Sequence, residues 1–226
     1  MAEADTRTRI LRAAELLFIE HGFEATTMRQ ITGKAGVNLA AINYHFGSKE
    51  QLIEEVFRQR LGGLIGQCLE RLDRLEESAA GAALRPRQIV EAFFGVALTL
   101  AADRDNGGDS FMRLLGRTYP APPPFVRDFL AREYSAAMPR FKAALFRALP
   151  DVPREEILWR FHFMLGAMSY AVSGSDALNM LGGLDDTDSE ALQARLMSFL
   201  LGGLRAPLAE MPHARREKSA LATQST

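Results

Sequence analysis

Residues 26–49 read TTMRQITGKAGVNLAAINYHFGSK, and the reading of this stretch governs the reading of the whole chain. Thr27-x-x-Gln30 has the form of a capping box, in which a hydroxyl and an amide satisfy unpaired N–H groups at a helix start. Met28, Ile31 and Ala35 then fall on one helical face. Gly36 suits the left-handed position that ends a helix. Asn38 is placed to cap a second, short helix from Leu39 to Phe46. A helix of under three turns is marginal alone in water, so packing must hold it, and Val37, Ile42 and Phe46 are the residues to do so. Ala40, Ala41, Asn43, Tyr44 and His45 are left to face outward. The spacing predicts a helix-turn-helix of the kind that enters a DNA groove.

The charge pattern agrees. No Asp or Glu lies between Ala25 and Lys49, while Arg29, Lys34 and Lys49 do. Over the first 50 residues Arg7, Arg9, Arg12, Arg29, Lys34 and Lys49 are balanced by Glu3, Asp5, Glu15, Glu20, Glu24 and Glu50, so the positive field is local to one face. The bland alternative is a small helical hairpin with a solvated polar face.

The stretch closely resembles the DNA-binding domain of TetR-family transcriptional repressors. The matching parts are TT-x-R-x-I, the AGV turn and NYHFGSKEQLI, preceded by a helix carrying Ile10, Ala14, Leu17 and Phe18 and closing on His21-Gly22-Phe23. The resemblance covers roughly residues 7–57. It implies an all-α protein: a three-helix, N-terminal helix-turn-helix domain (residues 1–50) and a C-terminal helical domain for ligand binding and dimerisation (51–204). It also implies that Leu39, Ala40, Ala41 and Asn43 face base edges, with Arg29 reaching in from the preceding helix. Asn pairs with adenine and Arg with guanine. Thr27, Tyr44, His45 and Lys49 would hold phosphates. Asn43 stands where many family members carry an aromatic residue, so it serves either a base or the backbone.

The 226-residue chain is long enough for one large or two modest domains. Its 47% apolar and 24% charged composition is ordinary for a globular protein, and a net charge of −1 excludes a generally polybasic one. One cysteine, Cys68, excludes an intrachain disulfide framework and a paired-cysteine zinc site. The polar N-terminus lacks the apolar core of about 7–15 residues that a signal peptide needs. No run approaches the ~20 apolar residues that span a bilayer. A cytoplasmic location without membrane contact is the expectation.

Beyond Phe46 the chain reads as helix almost throughout. Ser48 opens a long helix to about Glu77, its apolar residues at three- and four-residue steps, so that the domain boundary near residue 50 falls inside it. Further helices are expected from Arg87 to Ala102, from Ser110 to Arg117 and from Phe125 to Leu149, the last bent at Pro139. Asp151-Val-Pro-Arg-Glu-Glu starts a helix over ILWRFHFMLGAMSYAVSG that is apolar nearly all round and so expected to be largely buried. A last helix is expected from about Thr187 to Leu204, then a disordered tail over 205–226.

Small residues, Gly166, Ala167, Ser169 and Ala171 in one of the two last helices and Ser198, Gly202 and Gly203 in the other, allow close helix approach. By the resemblance these helices pair two subunits into a homodimer, suited to reading a palindrome; the alternative is packing within one chain. The C-terminal domain is expected to enclose an apolar effector, with Phe94, Phe111, Met112, Leu115, Phe129, Trp159, Phe163 and Met164 as wall candidates and Arg113 and His162 as polar partners. The bland reading makes Arg113 a surface residue or ion-pair partner and His162 a hydrogen-bonded core histidine. SFMRLLGR and ILWRFHFMLGA resemble the PsrA-type branch of the family, which responds to long-chain fatty acids, and so suggest an acyl ligand; a drug or aromatic compound is the alternative. Enzyme signatures are missing: the histidines at 21, 45, 162 and 213 have no HExxH spacing, and no G-x-S-x-G elbow, P-loop or dinucleotide fingerprint occurs. No cofactor is expected. Cys68 reads as an inert core thiol or, less readily, a redox sensor. A helical protein-interaction adaptor remains as a third class.

Overall fold

A computed structural model of the chain describes residues 2–174, 180, 182 and 188–209, and all regular structure among them is helical. The first helix, α1 (Ala2–Ala25), breaks at Gly22, where φ is 78° and ψ 169°. Its Ile10, Ala14, Leu17 and Phe18 are buried against α2 (Met28–Ala35), α4 (Lys49–Ala79) and α7 (Gly108–Thr118). The capping box is present: Thr27 Oγ1 accepts from the Gln30 N–H at 3.3 Å, and Gln30 Oε1 accepts from the Thr27 N–H at 2.7 Å. Gly36 ends α2 at φ 65°, a left-handed conformation that a side chain resists. Arg9 of α1 donates to the carbonyls of Ala35 at 2.6 Å and Gly36 at 2.9 Å. Those carbonyls belong to a helix end, where no intrahelical N–H reaches, so the arginine fixes the turn from outside the motif. Asn38 Oδ1 accepts from the Ala41 N–H at 2.9 Å and starts α3 (Leu39–Phe46), which is anchored by buried Ile42 and Phe46.

Ser48 caps α4, which runs 31 residues across the expected boundary near residue 50. Next come α5 (Pro86–Val90), a π-helical turn (Glu91–Gly95) and α6 (Val96–Ala102). They replace the single regular helix expected over this stretch, and Pro86 is the first residue of α5, where its missing N–H is not needed. The π turn brings Phe93 and Phe94, adjacent in sequence, both into the interior. After α7 come α8 (Pro124–Glu133) and α9 (Ala137–Ala148). The expected helix bent at Pro139 is therefore two helices. A proline ring clashes with the carbonyl four residues back, here Ser135, so the chain breaks at 134–136 and Pro139 falls in the first turn of α9, where its missing N–H is not needed. Arg140 bridges α9 to Asp73 and Glu76 of α4 at 2.5 and 2.6 Å.

The last pair is α10 (Arg154–Val172) and α11 (Ser189–Leu204), packed on each other. Thr187, the expected start of α11, lies outside the described residues; Asp188 caps the helix. Residues 210–226 of the expected disordered tail also lie outside them. Residues 205–209 are described and non-helical, and Arg160, only 6% exposed, donates to the carbonyls of Leu204 at 2.8 Å and Pro207 at 3.4 Å. The buried side chains make one continuous cluster from Ile10 to Leu204.

Candidate nucleic-acid interface and interior cavity

The outer face of the α2–α3 pair presents most of the residues singled out for DNA. Leu39, Ala40, Asn43 and Tyr44 of α3 are exposed, Tyr44 by 76%, while Ala41 and His45 are half-buried. Tyr44 and His45 meet edge to face at 5.2 Å. Arg29 is exposed beside them with no ion-pair partner among the described residues. Two assignments change. Lys49 is not a free surface cation: its Nζ donates to the carbonyls of Phe23 at 2.9 Å and Thr26 at 3.1 Å and lies 4.2 Å from the centre of the Phe23 ring. The lysine closes the end of α1 onto the start of α4. The Thr27 hydroxyl is likewise engaged, donating to Gln30 Oε1 at 2.8 Å within its own cap.

A cavity of about 570 Å³ lies among α4, the π turn, α7, α8, α9 and α10. Binding sites for small molecules commonly enclose about 300–1,000 Å³. Leu64, Phe93, Phe94, Met112, Leu115 and Met168 give it an apolar wall. Phe93 packs edge-on to Phe94, Phe141 and Phe161 at 5.0–5.4 Å. The polar groups are few. The Cys68 thiol donates to the Phe93 carbonyl at 3.7 Å, inside the π turn, where the Val96 N–H donates to the same oxygen. Burial pushes that thiol up to about 12, which makes it inert rather than redox-active at neutral pH. Burial raises the Tyr119 and Tyr134 phenols too, and Tyr119 and Cys68 add to the effect at Tyr134. The interior therefore disfavours charge. The charged lining residues are Arg127 of α8 and Lys142 of α9.

Of the expected wall residues, Phe94, Met112 and Leu115 line this cavity. Phe111 and Phe129 do not: both are fully buried and pack on Phe57 of α4, at 5.9 and 6.4 Å, in the core beside it. Met164 is buried core as well. Arg113 points away from the cavity on the exposed side of α7, against Gly174. Trp159, His162 and Phe163 sit on the outer face of α10, with Trp159 53% and Phe163 64% exposed. So α10 is not buried all round. Its inner face carries Ile157, Phe161, Met164 and Met168; its outer face carries Trp159, His162, Phe163, Gly166 and Tyr170 at three- and four-residue steps. Beside it α11 exposes Ser198, Phe199, Gly202 and Gly203. A Cβ added at Gly166, Gly202 or Gly203 would meet nothing within 4 Å, so among the described residues this small-residue surface is open.

Sequence reasoning missed Tyr119, Tyr134, Arg127 and Lys142. One signal was available for the two cations: neither has an acidic residue three or four positions away, so neither has a helical ion-pair partner.

Three connections lead from the cavity towards the α2–α3 pair, one directly through α4 and two through α1, which packs on α2. Helix α4 supplies Leu64, Ile65 and Cys68 to the wall and begins at the end of α3. Helix α7 supplies Met112, Leu115 and Gly116, and its Arg117 donates to Ile19 of α1 at 3.4 Å and Ser173 at 3.0 Å. Phe125 of α8 packs at a tilt against Phe23 of α1, ring centres 5.1 Å apart. Gly116 also lets α7 touch α10: a Cβ there would lie 2.6 Å from the Ser169 carbonyl oxygen.

Residues 10–56 match the family of bacterial regulatory proteins, tetR family, and residues 91–203 match the tetracyclin repressor-like C-terminal domain. The chain is 40% identical over 70 residues to the HTH-type transcriptional repressor KstR2 of Mycolicibacterium smegmatis, covering 31% of this chain and 34% of that protein. It is 41% identical over 54 residues to the HTH-type transcriptional regulator UidR of Escherichia coli, covering 24% and 28%. These matches span about a third of the relatives' length. Among solved structures, the fatty acid degradation regulator FadR from Bacillus halodurans superposes with a TM-score of 0.63 at 15% identity, covering 89% of this chain and 97% of that one. The ketosteroid regulator KstR2 of Mycobacterium tuberculosis gives 0.60 at 18%, covering 87% and 93%. At these identities the superpositions speak for the fold alone.

Proposed function

The chain belongs to the TetR family, and from that premise we propose that it is a helix-turn-helix transcriptional repressor that works as a homodimer on a palindromic operator and lets go when an apolar molecule fills the cavity. Arg29, Leu39, Ala40, Ala41 and Asn43 meet base edges, and Tyr44 and His45 the phosphates. The second copy pairs through the outer faces of α10 and α11, whose apolar and small residues have no cover among the described residues. One short α3 reaches few bases, and a two-fold pair doubles the reading. The effector is a long-chain fatty acid or its thioester, in keeping with the apolar wall; a drug-like aromatic is the alternative.

The observation that carries this reading is that α4, α7 and α8, which wall the cavity, are also joined to α1 and the α2–α3 pair. A ligand that favours one setting of these helices changes the spacing of the two α3 helices. A tenfold loss of DNA affinity then requires about 1.4 kcal/mol of differential ligand binding. The test has two parts. Selection from random duplexes should return an inverted repeat bound about 10³–10⁷-fold more tightly than random DNA. Acyl chains of increasing length, titrated into the labelled complex, should lower its anisotropy. No palindromic consensus, or no compound that shifts affinity, sinks the proposal; release by aromatic or cationic compounds alone selects the alternative.

A further inference from the structure

Resting on the reading of the cavity as an effector site, we propose that it is built for an anionic amphiphile, whose carboxylate or phosphate head lies between Arg127 and Lys142 and whose apolar body lies against Phe93, Phe94, Met112 and Leu115. The lining is asymmetric in charge: among the described residues it holds two cations and no acid. The cations come from different helices, Arg127 from α8 and Lys142 from α9, and converge on one cavity across the break at 134–136. Neither is paired with a carboxylate among the described residues, although ten arginines there are, and one of these, Arg140, on the same helix as Lys142, bridges two acids of α4.

The deep wall supplies the complementary half. Its polar groups are one thiol, two phenols and the hydroxyls of Ser135 and Ser169, and burial pushes the thiol and both phenols further from ionising. An ionised head placed there would suffer the same desolvation. Arg127 is exposed and Lys142 half-buried, so the head at the rim keeps some water while gaining charge-assisted hydrogen bonds. A cationic amphiphile would face two like charges, and a neutral ester would leave both cations as they are. The geometry thus ranks head groups: anion first, neutral second, cation last. It also moves the head-group role from Arg113 and His162, which are outside the cavity, to residues on α8 and α9.

The experiment compares four probes of equal chain length, dodecanoate, dodecyl phosphate, dodecanol and dodecyltrimethylammonium, by calorimetric titration against the full chain and against Arg127→Gln/Lys142→Gln. Both substitutions replace residues without ion pairs, and a thermal melt checks that the variant folds. In the wild type an anion should bind about tenfold or more tighter than dodecanol, a ratio typical of one charged hydrogen bond. The variant should lose that preference while dodecanol binds as before. Carboxylate and phosphate arms tell which head the rim takes. Equal binding of anion and alcohol, a preference for the cation, or an anion preference that survives in the variant overturns the head-group assignment and leaves the apolar cavity standing. Binding by none of the four overturns the cavity as an effector site, and this inference with it.

Discussion

Removing the Lys49 ammonium separates two roles that a surface lysine in a DNA-binding unit can have. Lys49→Ala deletes two hydrogen bonds to backbone carbonyls, of Phe23 and Thr26, and a cation–ring contact with Phe23. A hydrogen bond with a charged partner contributes about 1.5–3 kcal/mol net, and an exposed cation–ring contact about 0.5–1 kcal/mol. The site is half-buried and water can replace the lysine at both carbonyls, so the total falls at the low end, about 2 kcal/mol. For a chain of this size each kcal/mol shifts the melting temperature by about 2–4 °C, which gives a fall of ~4–8 °C. DNA affinity should drop alike on operator and random duplex, because the junction of α1 and α4 loosens, with an unchanged dependence on salt. Arg29→Ala is the contrast: exposed and without an ion pair among the described residues, it should leave the melt unchanged and, as a base contact, cost about 1–3 kcal/mol on the operator while sparing random duplex. Differential scanning fluorimetry and a salt series of anisotropy titrations measure both. If Lys49→Ala melts like the wild type and its slope falls by about one, the lysine is a phosphate contact and the clamp argument is wrong.

Phe163→Glu places a charge in the middle of the outer α10 stripe. Association should weaken by about 30-fold or more, on the scale of a central interface residue, and equilibrium sedimentation at several concentrations measures it; an unaltered constant removes α10 from the subunit contact. The Cys68 thiol, ordinarily near 9.0, is held up to about 12 in the fold. Above pH 9 the unfolded chain loses a proton that the folded chain keeps, so stability falls as pH rises from about 9 towards 12. Tyr119 and Tyr134 act in the same direction. Urea midpoints at pH 8, 9 and 10 should decline, and less so in Cys68→Ala; a flat profile in the wild type contradicts the buried thiol.

The helix-turn-helix was legible in the sequence because its signals are local: a hydroxyl three residues before an amide, a glycine at the turn, an asparagine at the next start. What lay outside was the support from other elements, Arg9 on the end of α2 and Lys49 on the end of α1. Those contacts join residues 26 apart, and no periodicity encodes them. The cavity was legible only as a composition. An apolar stretch says that a helix has something to cover, not which neighbour covers which side. ILWRFHFMLGA is apolar on both faces, so Trp159 and Phe163 were grouped with Phe94 and Met112, although they belong to the opposite side of α10. The break before α9 was misplaced for a related reason: a proline marks the disturbed helix, while the chain breaks where the clashing carbonyl lies.

Helix α10 presents Leu165 and Met168 to the cavity and Trp159, Phe163 and Tyr170 to the outside. Gly116 brings α7 against its backbone at Ser169. In a pair of chains joined through this helix, each cavity would be separated from the seam by one helix diameter, and the two cavities by one four-helix layer. Effector affinity and self-association would then be thermodynamically linked: whatever occupancy does to the seam, dilution into single chains does in reverse to occupancy. The first molecule bound would also alter the site for the second, with a sign set by whether filling one cavity straightens or strains the shared wall. A fractional saturation curve for such a protein depends on the concentration of the protein itself.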